Sequence, residues 1–270
     1  MIKIGSQTYA WQMSGKLYLD RLDHIIAVAG RAGFAGVEAE LQFLGALRDP
    51  GLMRRHLEQA GVDLAALCIV HDWRGARESE AERASADWTI DYLARNFPGA
   101  LLNVCPMPGA DRSDLRERQD NQIACMNALA SRAADRGVIA AYHPNSPAGS
   151  VCRTVGDYER MLEGIDARVL KWIPDIGHIA KGGIDVMTLL KRYRPLIAHV
   201  HFKDMSTDGV WRCMGEGNLD FPGVATYLGA TGYDRWIVVE DEGEEAEHDP
   251  DRVASRDGLY MAHAIAPLLR

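Results

Sequence analysis

Short, continuously apolar runs alternate along the chain with longer stretches whose apolar residues recur at helical spacing. Ile2–Ser6, the segment Gly33–Glu40, Val62–Val70, Leu101–Cys105, Val138–Tyr142, Val169–Ile173, Leu196–Phe202 and Trp236–Val239 read as strands. They are short and rich in β-branched side chains, as strands buried on both faces are. Between them the pattern predicts helices over about Leu19–Ala32, Leu52–Ala60, Ser79–Asn96, a long one from Ser113 to about Ala134, Thr154–Leu162, Val186–Tyr193, Phe221–Leu228 and Arg252–Leu268. Gly61, Pro106 and the pair Arg136-Gly137 act as stops, and Ser113 is a plausible N-cap.

Eight strands, each followed by a helix, predict an α/β fold: a single (β/α)8 TIM barrel over residues 1–270. A doubly wound open sheet alternates in the same way. Against it, no G-x-G-x-x-G follows the first strand, and the polar residues gather at strand ends late in the chain. No low-complexity segment or Pro/Gly/Ser-rich linker interrupts the pattern.

Composition narrows the partners. The formal charge of −8 is spread along the chain with no basic stripe, so no nucleic-acid partner is expected and the acidic excess serves solubility. The start, Met-Ile-Lys-Ile-Gly-Ser-Gln, reads as a strand and not as a signal peptide, and no apolar run reaches membrane-span length. A cytoplasmic protein without a membrane partner is expected. The five cysteines, Cys68, Cys105, Cys125, Cys152 and Cys213, form no C-x-x-C pair and read as reduced thiols, mostly core fillers.

Four strings carry the chemistry: Ala-Tyr-His-Pro (141–144), Pro-Asp-Ile-Gly-His (174–178), His-Val-His-Phe-Lys-Asp (199–204) and Val-Val-Glu-Asp-Glu (238–242). They place His143, Asp175, His201 and Glu240 at the carboxyl ends of four successive strands, which converge on one mouth in a closed parallel barrel. Each has a bland alternative. Asp175 also suits a helix cap. His199 and His201 share a strand face, so one of them can stand behind a ligand. Asp241 and Glu242 after Glu240 resemble a solvated acidic run. Two histidines and two carboxylates suit a divalent ion and leave Mn2+, Mg2+, Co2+ and Zn2+ open. A metal-held carbonyl acidifies the adjacent C–H, and a nearby carboxylate or imidazole then serves as base.

The strings Gly33–Glu38, Ala141–His143, Asp175–Ala180, His199–Asp204, Gly215–Phe221 and Trp236–Glu240 resemble the xylose-isomerase-like superfamily of sugar isomerases and epimerases. Within it the chain is most similar to inosose (2-keto-myo-inositol) dehydratases. The resemblance implies a metal held by His143, Asp175, His201 and Glu240, one from each of strands five to eight. Epimerases of the superfamily carry Glu at the strand-five position, so His143 points to the dehydratase branch. Those dehydratases usually continue with more histidines and Met-Gly-Thr, where this chain has Pro-Asn-Ser-Pro-Ala-Gly-Ser.

The resemblance further implies that His178 contacts substrate hydroxyls. Lys203 is a candidate for stabilising enolate charge, or a rim lysine. Glu38 is a candidate for binding polyol hydroxyls, or a cap. His71 and Trp11 fall at the mouths of strands three and one, where Trp11 packs against a sugar ring or belongs to the core. Trp211 and Arg212 lie in a loop suited to closing over a ligand. The expected activity is dehydration of an inosose or keto-sugar, with His143 or Glu240 as base and His178 as acid. Ketose epimerisation, aldose–ketose isomerisation, 3-keto-glycoside lysis and a non-catalytic sugar- or metal-binding barrel subunit are the alternatives. A small polyol or keto-sugar is the expected partner, and homo-oligomers are common in such barrels.

Overall fold

The structure, a computed structural model, describes residues 1–269. In chain order the strands are β1 (Lys3–Gln7), β2 (Gly36–Glu40), β3 (Asp63–His71), β4 (Leu101–Pro106), β5 (Ala140–Tyr142), β6 (Leu170–Trp172), β7 (Val200–Phe202), β8 (Asp204–Met205), β9 (Trp211–Arg212) and β10 (Trp236–Val239). The helices are α1 (Tyr9–Met13), α2 (Leu22–Arg31), α3 (Pro50–Ala60), α4 (Glu80–Asn96), α5 (Leu115–Asp135), α6 (Val155–Gly164), α7 (Ile176–Lys181), α8 (Val186–Arg192), α9 (Phe221–Ala230) and α10 (Pro250–Tyr260). All strands but β8 and β9 run in parallel ladders, each followed by at least one helix, as the sequence pattern predicts. No helix among the described residues is long and apolar enough to cross a membrane.

Contacts divide the chain into two compact units. The first comprises Met1–Ala65 and His199–Arg270, with parallel strand order β2-β1-β10-β7. Its register pairs Gly5 with Gly36, Ile4 with Ile237 and His201 with Val238. Helix α2 buries Leu22, Ile25, Ile26 and Ala29 on one face, each large aliphatic contributing roughly 1.5–3 kcal/mol on leaving water. Two glycines let its neighbours approach. A Cβ on Gly30 would lie 2.5 Å from Ala60 O at the end of α3, and one on Gly258 of α10 would lie 2.1 Å from Ala32 O. Strands β8 and β9 form a small antiparallel hairpin that the sequence pattern did not reveal.

The second unit, Ala66–Ala198, has strand order β6-β5-β4-β3. Small residues set its packing: Ala66, Ala141 and Ala198 cluster with Leu101 and Ile173. Capping boxes fix the starts of α4 (Ser79 with Glu82) and α6 (Thr154 with Asp157).

Several boundaries differ from the pattern for local reasons. Asp20 takes a positive φ of 58°, so the helix expected from Leu19 starts at Leu22. Ser113 caps nothing: its hydroxyl donates to Asp111, and Asp114 holds the N-cap position of α5 without a side-chain bond. Val138 N bonds back to Ala133 O and completes the helix end, which shortens β5. Arg194–Leu196 form a 3₁₀ turn and Ile197 makes only an isolated parallel bridge to Trp172, so β7 covers just the end of the expected seventh strand. The last helix gives way at Met261 to a π turn and a 3₁₀ turn, where Pro267 lacks a donor.

Candidate active site

In the first unit, the alternation of β7 places His199, His201 and Lys203 on one face, while Phe202 on the other packs 4.6 Å from the Phe221 ring. Glu240 N still bonds Phe202 O, so the β10–β7 ladder continues to Glu240. This brings His201 Nδ1 to 2.6 Å from Glu240 Oε2. The other ring nitrogen, Nε2, lies 3.2 Å from Glu38 Oε2 at the end of β2, and the same oxygen is 2.9 Å from His199 Nε2. Glu38, His199 and His201 are all fully buried and form a compact donor cluster.

Lys203 is also fully buried. Its Nζ donates to Glu240 Oε1 and Glu242 Oε1, both at 2.6 Å, between the rings of Tyr9 and Trp211 at 5.4 and 5.3 Å. Burial alone would raise the Glu38 carboxyl, but His201 and His199 outweigh it and hold it below the usual carboxylate range. Burial, then the Glu242 charge, raise the Tyr9 phenol, which stays neutral.

In the second unit, Asp175 uses its two oxygens differently. Oδ1 caps α7 by accepting from His178 N at 2.7 Å, while Oδ2 lies 3.7 Å from His143 Nε2 and 4.0 Å from His178 Nε2. The cap and ligand readings of Asp175 are therefore compatible. His143 sits one residue past β5, anchored by its amide to Val104 O. His178 Nδ1 is 2.8 Å from Ser146 Oγ. All of these residues are buried.

The remaining expected residues fall apart from these two groups or take other partners. Trp11 is a core residue whose Nε1 donates to Asp251 at 2.8 Å, so the sugar-packing alternative loses its ring. Glu38 faces the two histidines, neither capping a helix nor lying at an exposed rim. Arg212 is exposed on β9. His71 ends β3, edge-on to Trp73 at 5.5 Å, and burial lowers its pKa. Its Nε2 is buried with no hydrogen-bond partner among the described residues. Asp241 and Glu242 are not a solvated run: Asp241 is buried and Glu242 binds Lys203. Lys203 is no rim lysine.

A profile described as xylose isomerase-like TIM barrel matches residues 26–261. The chain belongs to that family. Its fold is accordingly the (β/α)8 barrel that the alternating pattern predicts. An inosose dehydratase of Salmonella agona (strain SL483) is 32% identical over 160 residues, 52% of this chain and 52% of that protein, so this match spans about half the relative's length. An inosose dehydratase of Geobacillus thermodenitrificans (strain NG80-2) is 24% identical over 96% of both chains. Among solved structures, the IOLI protein with a bound zinc atom superposes with a TM-score of 0.77 at 14% identity, over 99% of this chain and 98% of that one. At that identity the likeness speaks for the fold.

Sequence reasoning missed Tyr9 and Ser146 altogether. Neither lies in a motif, and each matters only through a partner far along the chain. Glu242 was visible but carried the wrong sense, because an acidic triplet gives no sign of the lysine that neutralises it.

Proposed function

We propose that the chain is a divalent-metal-dependent enzyme that removes a proton beside the carbonyl of an inosose or related keto-sugar and expels the neighbouring hydroxyl. In this reading both units form one barrel domain, and His143, Asp175, His201 and Glu240 hold the cation. The observation that carries it is the charge imbalance of the first unit's cluster. Glu240 and Glu242 face the one ammonium of the group, Lys203, while Glu38 faces the imidazoles of His199 and His201. With neutral imidazoles two negative charges remain, and buried charge is costly unless compensated. A divalent cation balances them.

Two imidazoles and two carboxylates fit Mn2+, Co2+, Mg2+ or Zn2+. His201 offers Nδ1, and Nε2–H donates to Glu38, the usual arrangement of a carboxylate behind an imidazole ligand. Once bound, such an ion polarises a substrate carbonyl and acidifies the adjacent C–H. The protein's own groups supply the rest. Glu240 or His143, whichever is not fully committed to the cation, takes the proton. Lys203, fixed by two carboxylates, sets positive charge beside the developing oxyanion. His178, oriented through Ser146, protonates the departing hydroxyl. His71 Nε2 and Arg212 are left for substrate hydroxyls. The dehydratases named above support the substrate class, and a histidine at the strand-five exit favours elimination over epimerisation.

The test is to incubate metal-loaded protein with keto-inositols and ketohexoses in D2O. The proposal expects deuterium at the α-carbon and loss of water from a keto-inositol. Exchange without water loss would make the chain an epimerase or isomerase. Binding without any exchange across the panel would overturn the enzymatic reading and leave a sugar-binding barrel.

A further inference from the structure

The segment 215–221 supplies none of the groups in that reading, yet it wraps the residue that follows Lys203. Asp204 is only 2% exposed. Its Oδ2 accepts from the amides of Gly215 and Gly217, both at 2.9 Å, and its Oδ1 from Met205 N at 2.8 Å and Leu219 N at 3.4 Å. Backbone N–H bonds to a carboxylate are roughly twice as strong as neutral ones. A Cβ on Gly217 would lie 2.1 Å from Asp204 Oδ1, so glycine is needed for the turn to approach this closely. Asn218 ties the same turn to the β8–β9 hairpin twice. Its amide donates to Met205 O at 2.9 Å, and its Oδ1 accepts from Thr207 N at 2.9 Å. Across the hairpin Asp204 pairs with Arg212, and Met205 with Trp211. One buried carboxylate thus fixes the base of the hairpin and the turn beside it, and Trp211 with them.

We propose that Trp211 and Asp204 are positioning residues for Lys203, an assignment that rests on the enzymatic reading above. The fully buried Lys203 ammonium has two kinds of neighbour. Glu240 and Glu242 accept its N–H groups at 2.6 Å, and the ring centroids of Tyr9 and Trp211 lie 5.4 and 5.3 Å from Nζ. The carboxylates fix the direction of the N–H bonds. The two ring faces attract the cation through their quadrupoles, an attraction that grows when water is excluded. A lysine side chain is long and flexible, and its rotamer freedom has to be removed before its charge acts at one point. The contacts remove that freedom ahead of the reaction, so the charge is already placed when an oxyanion develops. Tyr9 reaches Lys203 from α1 at the exit of β1. Trp211 reaches it from the hairpin, whose base and flanking turn Asp204 fixes. Asp204 therefore acts on Lys203 through Trp211, and the glycines of the segment 215–221 serve that same contact.

The test uses metal-loaded full-length protein labelled with nitrogen-15 at lysine. An ammonium held in this way exchanges its protons slowly with water and gives its own N–H resonance, which Lys203→Gln identifies by deleting it. Trp211→Leu and Asp204→Asn are expected to broaden or erase that resonance, and Trp211→Phe to retain it. With a keto-inositol in D2O, Trp211→Leu should lower kcat for α-carbon exchange by about 10–30-fold, the worth of a desolvated cation–aromatic contact, with KM little changed. In a Lys203→Gln background the same substitution should cost almost nothing, because it acts through the missing ammonium. The proposal is overturned by a wild-type protein without a slowly exchanging ammonium, by a resonance that survives in Trp211→Leu, or by a kcat loss of equal size in both backgrounds. A raised KM at unchanged kcat also overturns it and makes Trp211 a ring that stacks on substrate. Should Trp211→Leu fold poorly, Asp204→Asn carries the same comparisons. A resonance that depends on Trp211 in a protein showing no exchange at any α-carbon supports the placement of Lys203 and removes only the enzymatic reading.

Discussion

The site groups of the two compact units bury their polar side chains by different means. In the first, Glu38, His199, His201, Glu240, Lys203 and Glu242 bind one another side chain to side chain at 2.6–3.2 Å. In the second, Asp175 leans on a backbone amide, His143 lies 3.7 Å from its Oδ2, and His178 is steadied by a serine hydroxyl. A network whose members hold one another loses several partners when one is removed. A set held individually by local structure loses only the group itself. Mutations in the first group should therefore damage stability and chemistry together, and those in the second should separate them.

Glu240→Gln is expected to have the largest effect. It takes one of two carboxylate partners from each of Lys203 and His201, which keep Glu242 and Glu38, and breaking such buried pairs costs up to about 3–5 kcal/mol. Loss of a group that moves the proton removes a further factor of about 10²–10⁴ in rate. Urea unfolding and solvent deuterium exchange measure the two losses. A variant that keeps wild-type stability would break the comparison.

Asp175→Asn sharpens it. Asparagine still caps α7, so stability should move by less than about 1 kcal/mol. Cation affinity should nevertheless fall by more than the roughly 10–100-fold that loss of a partner behind a ligand costs. Calorimetric titration with Mn2+ beside thermal melts gives both numbers. Glu38→Gln should reach only that 10–100-fold range, because it reorients His201 without removing a ligand. An unchanged affinity would deny Glu38 its positioning role.

The smallest effect concerns pH and lies in the second unit. Burial alone would raise the Asp157 carboxyl, but the amides of Arg153 and Thr154, the Thr154 hydroxyl and Arg112 hold it below its ordinary value. Its folded pKa is below its unfolded one, so its contribution is present above the unfolded value and is lost as pH falls through the folded value. Asp157→Asn should flatten the acid limb of the stability profile and leave its slope near neutrality unchanged. Chemical denaturation across acid pH reads this directly.

The strands were legible because burial on both faces leaves a continuous apolar run, and Trp236–Val239 is observed as the pattern places it. The polar residues closing those runs were legible for the same reason: a charge directly after an apolar strand interrupts the pattern. Contacts made across long sequence separations were not. Nothing beside Glu38 signals that its oxygen meets His199 and His201, since that meeting depends on pairing between β2, β1, β10 and β7. Boundaries failed where one backbone conformation decides them, as at Asp20 with its positive φ. Val138 failed likewise, because its apolar side chain suits a strand while its amide completes a helix end.

The most direct measurement is anomalous scattering from crystals soaked in Mn2+ or Co2+ with a polyol present. The account predicts a peak bonded to His143, Asp175, His201 and Glu240, with the polyol oxygens in the remaining positions. A peak that omits these four side chains, or no peak among them at saturating ion, would contradict it.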